Sequence, residues 1–149
     1  MNFIELLSRI LLATVFAFSG ASKLLYWEET LQFISPVLGQ AAPLLLGGAA
    51  AIEIVGSLMI LLGARAKWGA VLLMFYLLPV TFLFHDFWNY QGVDRQMQLI
   101  HWMKNLAIMG GLIRVFYHGA GRASLDAYLR QRRDANSRLE GPPRLRRVS

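Results

Sequence analysis

No cysteine occurs anywhere in the chain, so disulfides, thiolate nucleophiles, iron–sulfur clusters and cysteine-held zinc lie outside the chemistry of its own side chains. Charge is scarce as well: 16% of the 149 residues are charged, against about 25% in a soluble domain. The scarcity is uneven. Ile10 to Ala21 and Trp68 to Phe84 carry no charge, Pro43 to Ala64 carries only Glu53, and Leu99 to Tyr117 carries only Lys104 and Arg114. Internal repeats with a period of about 20–50 residues are missing too, which sets solenoids and propellers aside.

What fills the charge-poor blocks is apolar: 56% of the chain is hydrophobic. Each block matches the ~20 residues that a helix needs to cross a bilayer. The chain therefore reads as all-α, a four-helix transmembrane bundle in the lipid bilayer, with spans over 4–25, 41–63, 67–88 and 98–118. The first block has Glu5 near its start and lacks an A-x-A cleavage site, so it is expected to stay as a helix rather than leave as a signal peptide. Short loops rich in Lys and Arg stay cytoplasmic. The connection with Arg65 and Lys67 and the Arg-rich tail are then inside, and both termini are cytoplasmic. The connection with Trp27, Glu28, Glu29, Ser35 and Pro36 and the connection from Asn89 to Gln98 lie outside.

The net charge of +6 suggests nucleic acid until it is located. Eight Arg against three acids give Arg122 to Ser149 a charge of +5, so the basicity belongs to the tail, where orientation and anionic lipid explain it. No nucleic-acid partner is expected. The organisation expected is a four-helix domain over 1–121 and a basic cytoplasmic tail over 122–149, disordered from Gly141-Pro142-Pro143 onward.

Small residues mark the faces on which the helices meet. Arg9, Ala13, Ala17 and Ala21 repeat every fourth residue in the first span, and Gly48, Ala49, Gly56 and Ser57 are expected to share a face with Glu53 in the second. Gly110 and Gly111 follow Lys104 in the fourth, and Pro79 is placed to kink the third.

Depth then ranks the polar residues. Glu53 falls at mid-span, Lys23 near the outer end of the first helix, and His85 and Asp86 at the outer end of the third. Lys104 and Asn105 lie about two turns inside the outer end of the fourth. An ion at the centre of a helix in lipid costs on the order of 2.5–3.5 kcal/mol, so such groups turn inward, pair, and point to a site. The pairs expected are Glu53 with Lys104 or Lys23, and Asp86 with a lysine or His85, with His85 and Asp86 on the rim of a shared polar pocket. Each has a plainer reading. Lys23 is near enough to the interface to snorkel, and that reading is preferred. His85 and Asp86 also suit a helix end meeting water beside an aromatic belt of Phe87, Trp88 and Tyr90. Glu53 and Lys104 also suit an ion pair that only fixes helix order. His101 is placed at the interface, and His118 with Arg114 at the inner surface. The spacing of His85 and His101 does not support an axial haem pair. Arg9 and Glu5 form an i,i+4 helical pair.

These residues resemble the DoxX family of bacterial membrane proteins. The likeness runs from Ile4 to Asp126. It is carried by Arg9-Ile10-Leu11, by Phe18-Ser19-Gly20-Ala21-Ser22-Lys23-Leu24, and by Glu53 ahead of Leu61-Leu62-Gly63-Ala64-Arg65. It continues through His85-Asp86-Phe87-Trp88, Lys104 to Gly111, and Gly119 to Asp126. The resemblance implies a four-helix protein of the inner membrane. It also implies relatives that serve as subunits of a thiosulfate:quinone oxidoreductase, or in redox-stress complexes with sulfurtransferase and superoxide dismutase partners.

Two functions follow. The first is a quinone- or small-molecule-binding redox subunit, in which Lys104, Asn105 and His85 donate hydrogen bonds, Glu53 and Asp86 relay protons, and Lys23 completes the candidate set. With no cysteine, its electrons come from a redox-enzyme partner subunit or pass between bound molecules. The second is a non-enzymatic scaffold or assembly factor, whose tail holds acidic lipid or a cytoplasmic protein. Self-association into a homo-oligomer is compatible with either. Anion transport drawn by Lys23 and Lys104 ranks below both, because four unbroken spans lack an inverted repeat.

Overall fold

A computed structural model describes residues 2–140, and the expected disorder beyond Gly141 lies outside the described residues. Among the described residues there are six α-helices and no strand: α1 (Asn2–Leu25), α2 (Trp27–Leu38), α3 (Ala42–Leu62), α4 (Ala66–Phe84), α5 (Gly92–His118) and α6 (Leu125–Glu140). Short 3-10 turns, Gly39–Ala41 and Phe87–Asn89, lead into α3 and out of α4.

Three helical stretches are long and apolar enough to cross a membrane: Phe3–Leu25, Trp27–Leu62 and Ala66–Asn89. The fourth expected span lies inside α5, which at 27 residues is about 40 Å long but is not apolar enough by composition. Its polar content explains this: Asp94, Arg95, Gln98, His101, Lys104, Asn105 and Arg114 all sit on it. The segment between the first two expected spans is mostly helix α2 rather than loop, and Pro36 is in its last turn.

The helices pack in sequence order, α1 on α3, α3 on α4 and α4 on α5, while α1 and α5 touch sparsely. Their outer surfaces carry Ile4, Leu11 and Trp68, each at least 62% exposed, as expected of helices solvated by acyl chains. The core is built from small residues and a few large ones, Ala13, Phe16, Ile60, Ala70, Leu73 and Leu112 among them. The buried stripe of α1 runs through Arg9, Ala13, Phe16 and Gly20 and leaves Ala17 and Ala21 exposed. A strict four-residue repeat turns about 40° per step around a helix of 3.6 residues per turn, so it drifts off the packed face.

One end of the bundle is clamped. Gly63, in the left-handed region at φ 66°, ends α3 in a Schellman turn, with its N–H on the Ile60 carbonyl and the Ala64 N–H on Met59. The Gly63 carbonyl accepts from the Asp126 N–H, and the Arg65 N–H donates to Asp126 Oδ1. Arg9, buried in α1, donates Nη1 to the Ala120 carbonyl at 2.8 Å and Nη2 to Ala123 at 2.6 Å. Glu5 accepts from the Arg122 N–H. The expected Glu5–Arg9 helical pair gives way to this arrangement, because the carbonyls after α5 need donors and a guanidinium forks to two of them at once. The start of α1, the α3–α4 turn and the α5–α6 joint therefore share one end. Lys23, α2 and His85 occupy the other.

Candidate functional site

Gly20 sets the site. It faces α3 so closely that a Cβ would come within 2.9 Å of Ile54 Cγ1 and 3.2 Å of the Ala50 carbonyl oxygen. Without a side chain, α1 lies directly on α3 at the level of Glu53, and Lys23, one turn further along α1, reaches across. Its Nζ lies 2.8 Å from Glu53 Oε2, close enough for an ion pair though not aligned as a hydrogen bond, and it donates to Ser19 Oγ at 2.7 Å. The Glu53 side chain is 3% exposed and that of Lys23 20%. Tyr76 of α4 closes the group, its ring centroid 6.0 Å from Lys23 Nζ. Lys23 therefore turns inward rather than snorkelling, since an unpaired carboxylate at mid-span costs more than bending a lysine toward it.

A second polar group lies between α4 and α5. Buried Asn105 donates Nδ2 to Thr81 Oγ1 at 3.0 Å, and Thr81 donates to the Leu77 carbonyl. Lys104 is exposed and pairs with His101 Nδ1 at 3.2 Å, not with Glu53. His101 stacks on His85, with centroids 5.1 Å apart and planes at 20°, while His85 Nδ1 meets Gln98 Oε1 at 2.9 Å. Rings stacked this closely leave no room for a macrocycle between them. Asp86 meets neither a lysine nor His85. It accepts from Asn89 Nδ2 in the turn after α4, the geometry of a helix end.

One cavity of about 1340 Å³ joins most of these groups. Lys23, Glu53, His85, Lys104 and Asn105 all line it, and Asp86 does not. Its walls come from α1, α2, α3, α4 and α5, and most of them are apolar. It lies between the main core and a smaller cluster at the far end formed by Ile34, Ala42 and Leu46 with Trp27 and Phe84 around them. Pro79 borders it and leaves the Phe75 carbonyl without a helical donor. The charged lining residues Lys23, Lys104, Glu29 and Glu53 balance. The space suits a long, neutral, mostly apolar molecule with a hydrogen-bonding head.

Ser19, Tyr76 and the whole contribution of α2 are additions to the site that charge and depth did not reveal. A hydroxyl-bearing aromatic midway through the uncharged run of α4 was the available signal for Tyr76.

Comparison with known proteins follows the same outline. The DoxX family profile matches residues 4–86, and that of the SURF4 family matches residues 49–131. The chain is 30% identical over 122 residues to inner membrane protein YphA of Escherichia coli (strain K12), covering 81% of this chain and 86% of that one. It is 32% identical over 130 residues to inner membrane protein YqjF of the same organism, covering 85% and 92%. Similarity to the ER-derived vesicles protein ERV29 of Saccharomyces cerevisiae is narrower, 28% over 75 residues, half of this chain and 24% of the relative. No solved structure matches significantly.

Proposed function

Because this chain belongs to the DoxX family and is a multi-pass protein of the inner membrane, we propose that it holds a small neutral molecule of the quinone class inside the bilayer, as a subunit of a membrane oxidoreductase system. In this reading α1, α3, α4 and α5 all cross the membrane as a four-helix bundle, and the clamped end is cytoplasmic. Arg65, Lys67 and the Arg-rich segment after Arg122 share that end, which supports both termini being inside. The four-helix domain then spans 1–121 and the basic tail 122–149.

The observation that carries the proposal is a buried ion pair forming part of the wall of a large, otherwise apolar cavity. A quinone supplies two carbonyl oxygens that take up electrons and protons, on a ring carrying an apolar chain. Lys23 has three N–H donors and gives one to Ser19, so two remain for Glu53 and such an oxygen. Asn105 likewise keeps one N–H beside the one given to Thr81. Glu53, paired with Lys23 at the cavity wall, is the proton-relay residue of this reading. The apolar walls exclude water from the head. With no cysteine in the chain, electrons come from a partner enzyme or pass directly between bound molecules.

Quinone per chain, extracted after purification in mild detergent, tests this. Wild type and Asp86→Asn retain it, whereas Lys23→Met and Asn105→Leu lose most of it. Equal retention by all four overturns the proposal. The alternative, a scaffold whose buried pair only locks the helices, is favoured if no variant or wild type carries quinone and Lys23→Met lowers abundance.

A further inference from the structure

The basic segment after α5 is a helix with one apolar face, and its start is fixed to the clamped end of the bundle. Ser124 caps α6, its Oγ accepting from the Ala127 N–H, and Asp126 is held by the Gly63 carbonyl and the Arg65 N–H. Leu125, Tyr128 and Leu129 follow at helical i, i+3, i+4 spacing and are 43%, 49% and 55% exposed. This stripe is continuous with the bundle's apolar flank, because Leu125 and Tyr128 share a notch of about 470 Å³ with Leu6, Leu61 and Leu62. Arg132 lies on the same face one turn further on, its guanidinium over the Tyr128 ring at 5.1 Å. Arg133 flanks the stripe, Arg130 lies further round with its Nε on the Asp126 carbonyl, and Lys67 reaches the end of α5 nearby.

We propose that α6 lies in the headgroup layer of the adjacent leaflet, with Leu125, Tyr128 and Leu129 in the acyl region and Arg130, Arg132 and Arg133 on anionic phospholipid. The charge pattern favours lipid over a protein groove: eight Arg against three acids from Arg122 onward match a surface of phosphates, with about 1 kcal/mol for each Arg near it. The apolar stripe supplies the insertion, and its continuity with the lipid-facing flank fixes the depth. This inference uses the position of the clamped end at the membrane surface and is independent of what occupies the cavity.

The full-length chain in nanodiscs tests it, helped by the absence of native cysteine. Leu129→Cys, on the apolar stripe, and Ser137→Cys, off it, each carry an environment-sensitive fluorophore. Nanodiscs are made of phosphatidylcholine alone or mixed with phosphatidylglycerol. At Leu129→Cys, phosphatidylglycerol shifts emission to the blue and shields the probe from iodide, and high salt reverses both, while Ser137→Cys stays aqueous. Adding Arg130→Gln, Arg132→Gln and Arg133→Gln lowers the docked-to-free ratio about fivefold per residue. A probe at 129 that stays aqueous in both lipids overturns the proposal, as does insertion that is equal in both. Protection that appears only when cytosolic extract is added also overturns it, in favour of a protein partner. Quinone retention is measured separately, so failure here leaves the cavity reading standing.

Discussion

Lys23→Met removes the partner of a carboxylate that is 3% exposed. At 2.8 Å and an effective dielectric of ~20, the two charges attract by about 6 kcal/mol. Desolvation of both ions offsets much of that attraction, so the pair as a whole adds little stability. Breaking it from one side is different, because the remaining charge keeps its desolvation cost and loses its compensation. Such a break costs about 3–5 kcal/mol. Lys23 keeps 20% of its side chain exposed, which puts this case near the lower end, ~3 kcal/mol. For a chain of this length that corresponds to a fall of roughly 6–12 °C in Tm. Thermal unfolding of detergent-purified protein, followed by circular dichroism, reads it directly. Glu53→Leu strands Lys23 but lets it bend to water, so its loss is smaller. The double variant Lys23→Met/Glu53→Leu recovers most of the loss, because nothing charged remains buried. Additive losses in the double variant, or an unchanged Tm in Lys23→Met, would refute the view that the two residues form one energetic unit.

Gly20→Val drives a side chain into Ile54 and the Ala50 carbonyl and costs about 1–3 kcal/mol, seen as a lower monodisperse yield on size exclusion. Gly110→Ala meets nothing within 4 Å and leaves the yield unchanged. Arg9→Met strands the carbonyls of Ala120 and Ala123 at about 1–3 kcal/mol and speeds trypsin cleavage after Arg122 several-fold. Arg9→Lys restores only part of the protection, since an ammonium does not reproduce the planar fork. A membrane-impermeant maleimide reacts with Gln91→Cys on intact cells and with Ser137→Cys only after permeabilisation, and the opposite pattern would invert the proposed orientation.

The spans were legible because a bilayer allows little else: charge-free blocks such as Ile10 to Ala21 and Trp68 to Phe84 have one stable form in lipid. What the blocks do not encode is angle. The four-residue repeat in α1 pointed to Ala17 and Ala21, whereas the packed face alternates steps of four and three through Phe16 and Gly20. Helix α2 is hidden because Ser35-Pro36 is turn-like in isolation, although Glu28 and Glu29 stand in its first turn, where a helix start favours acids. Its proline sits in the last turn, where Gly39 at φ 56° ends the helix anyway. Arg9 was misread for a related reason. Glu5 is its neighbour in sequence, but its partners are 111 and 114 residues away.

The charged residues separate in the same manner, and the cavity follows from the separation. Position along a helix gives depth, so Glu53 at mid-span and Lys104 within α5 were both identified as expensive. Which group each one meets depends on where two backbones come closest. Gly20 draws α1 against α3, and this hands Lys23 to Glu53. Helix α5 packs on α4 and meets α1 near the clamped end, where Leu12 lies by Gly111 and Arg9 holds Ala120. Away from that end α5 has no comparable tie to α1 or α3, so Lys104 stays exposed beside His101. Helices joined firmly at one end leave a space at the other that their own side chains do not fill. Lys23 and Glu53, brought to the wall by the α1–α3 contact at Gly20, are joined there by Asn105 and Tyr76, which reach the space from α5 and α4. Lys23→Met therefore lowers stability and ligand retention together, whereas Asn105→Leu lowers ligand retention with the Lys23–Glu53 pair intact.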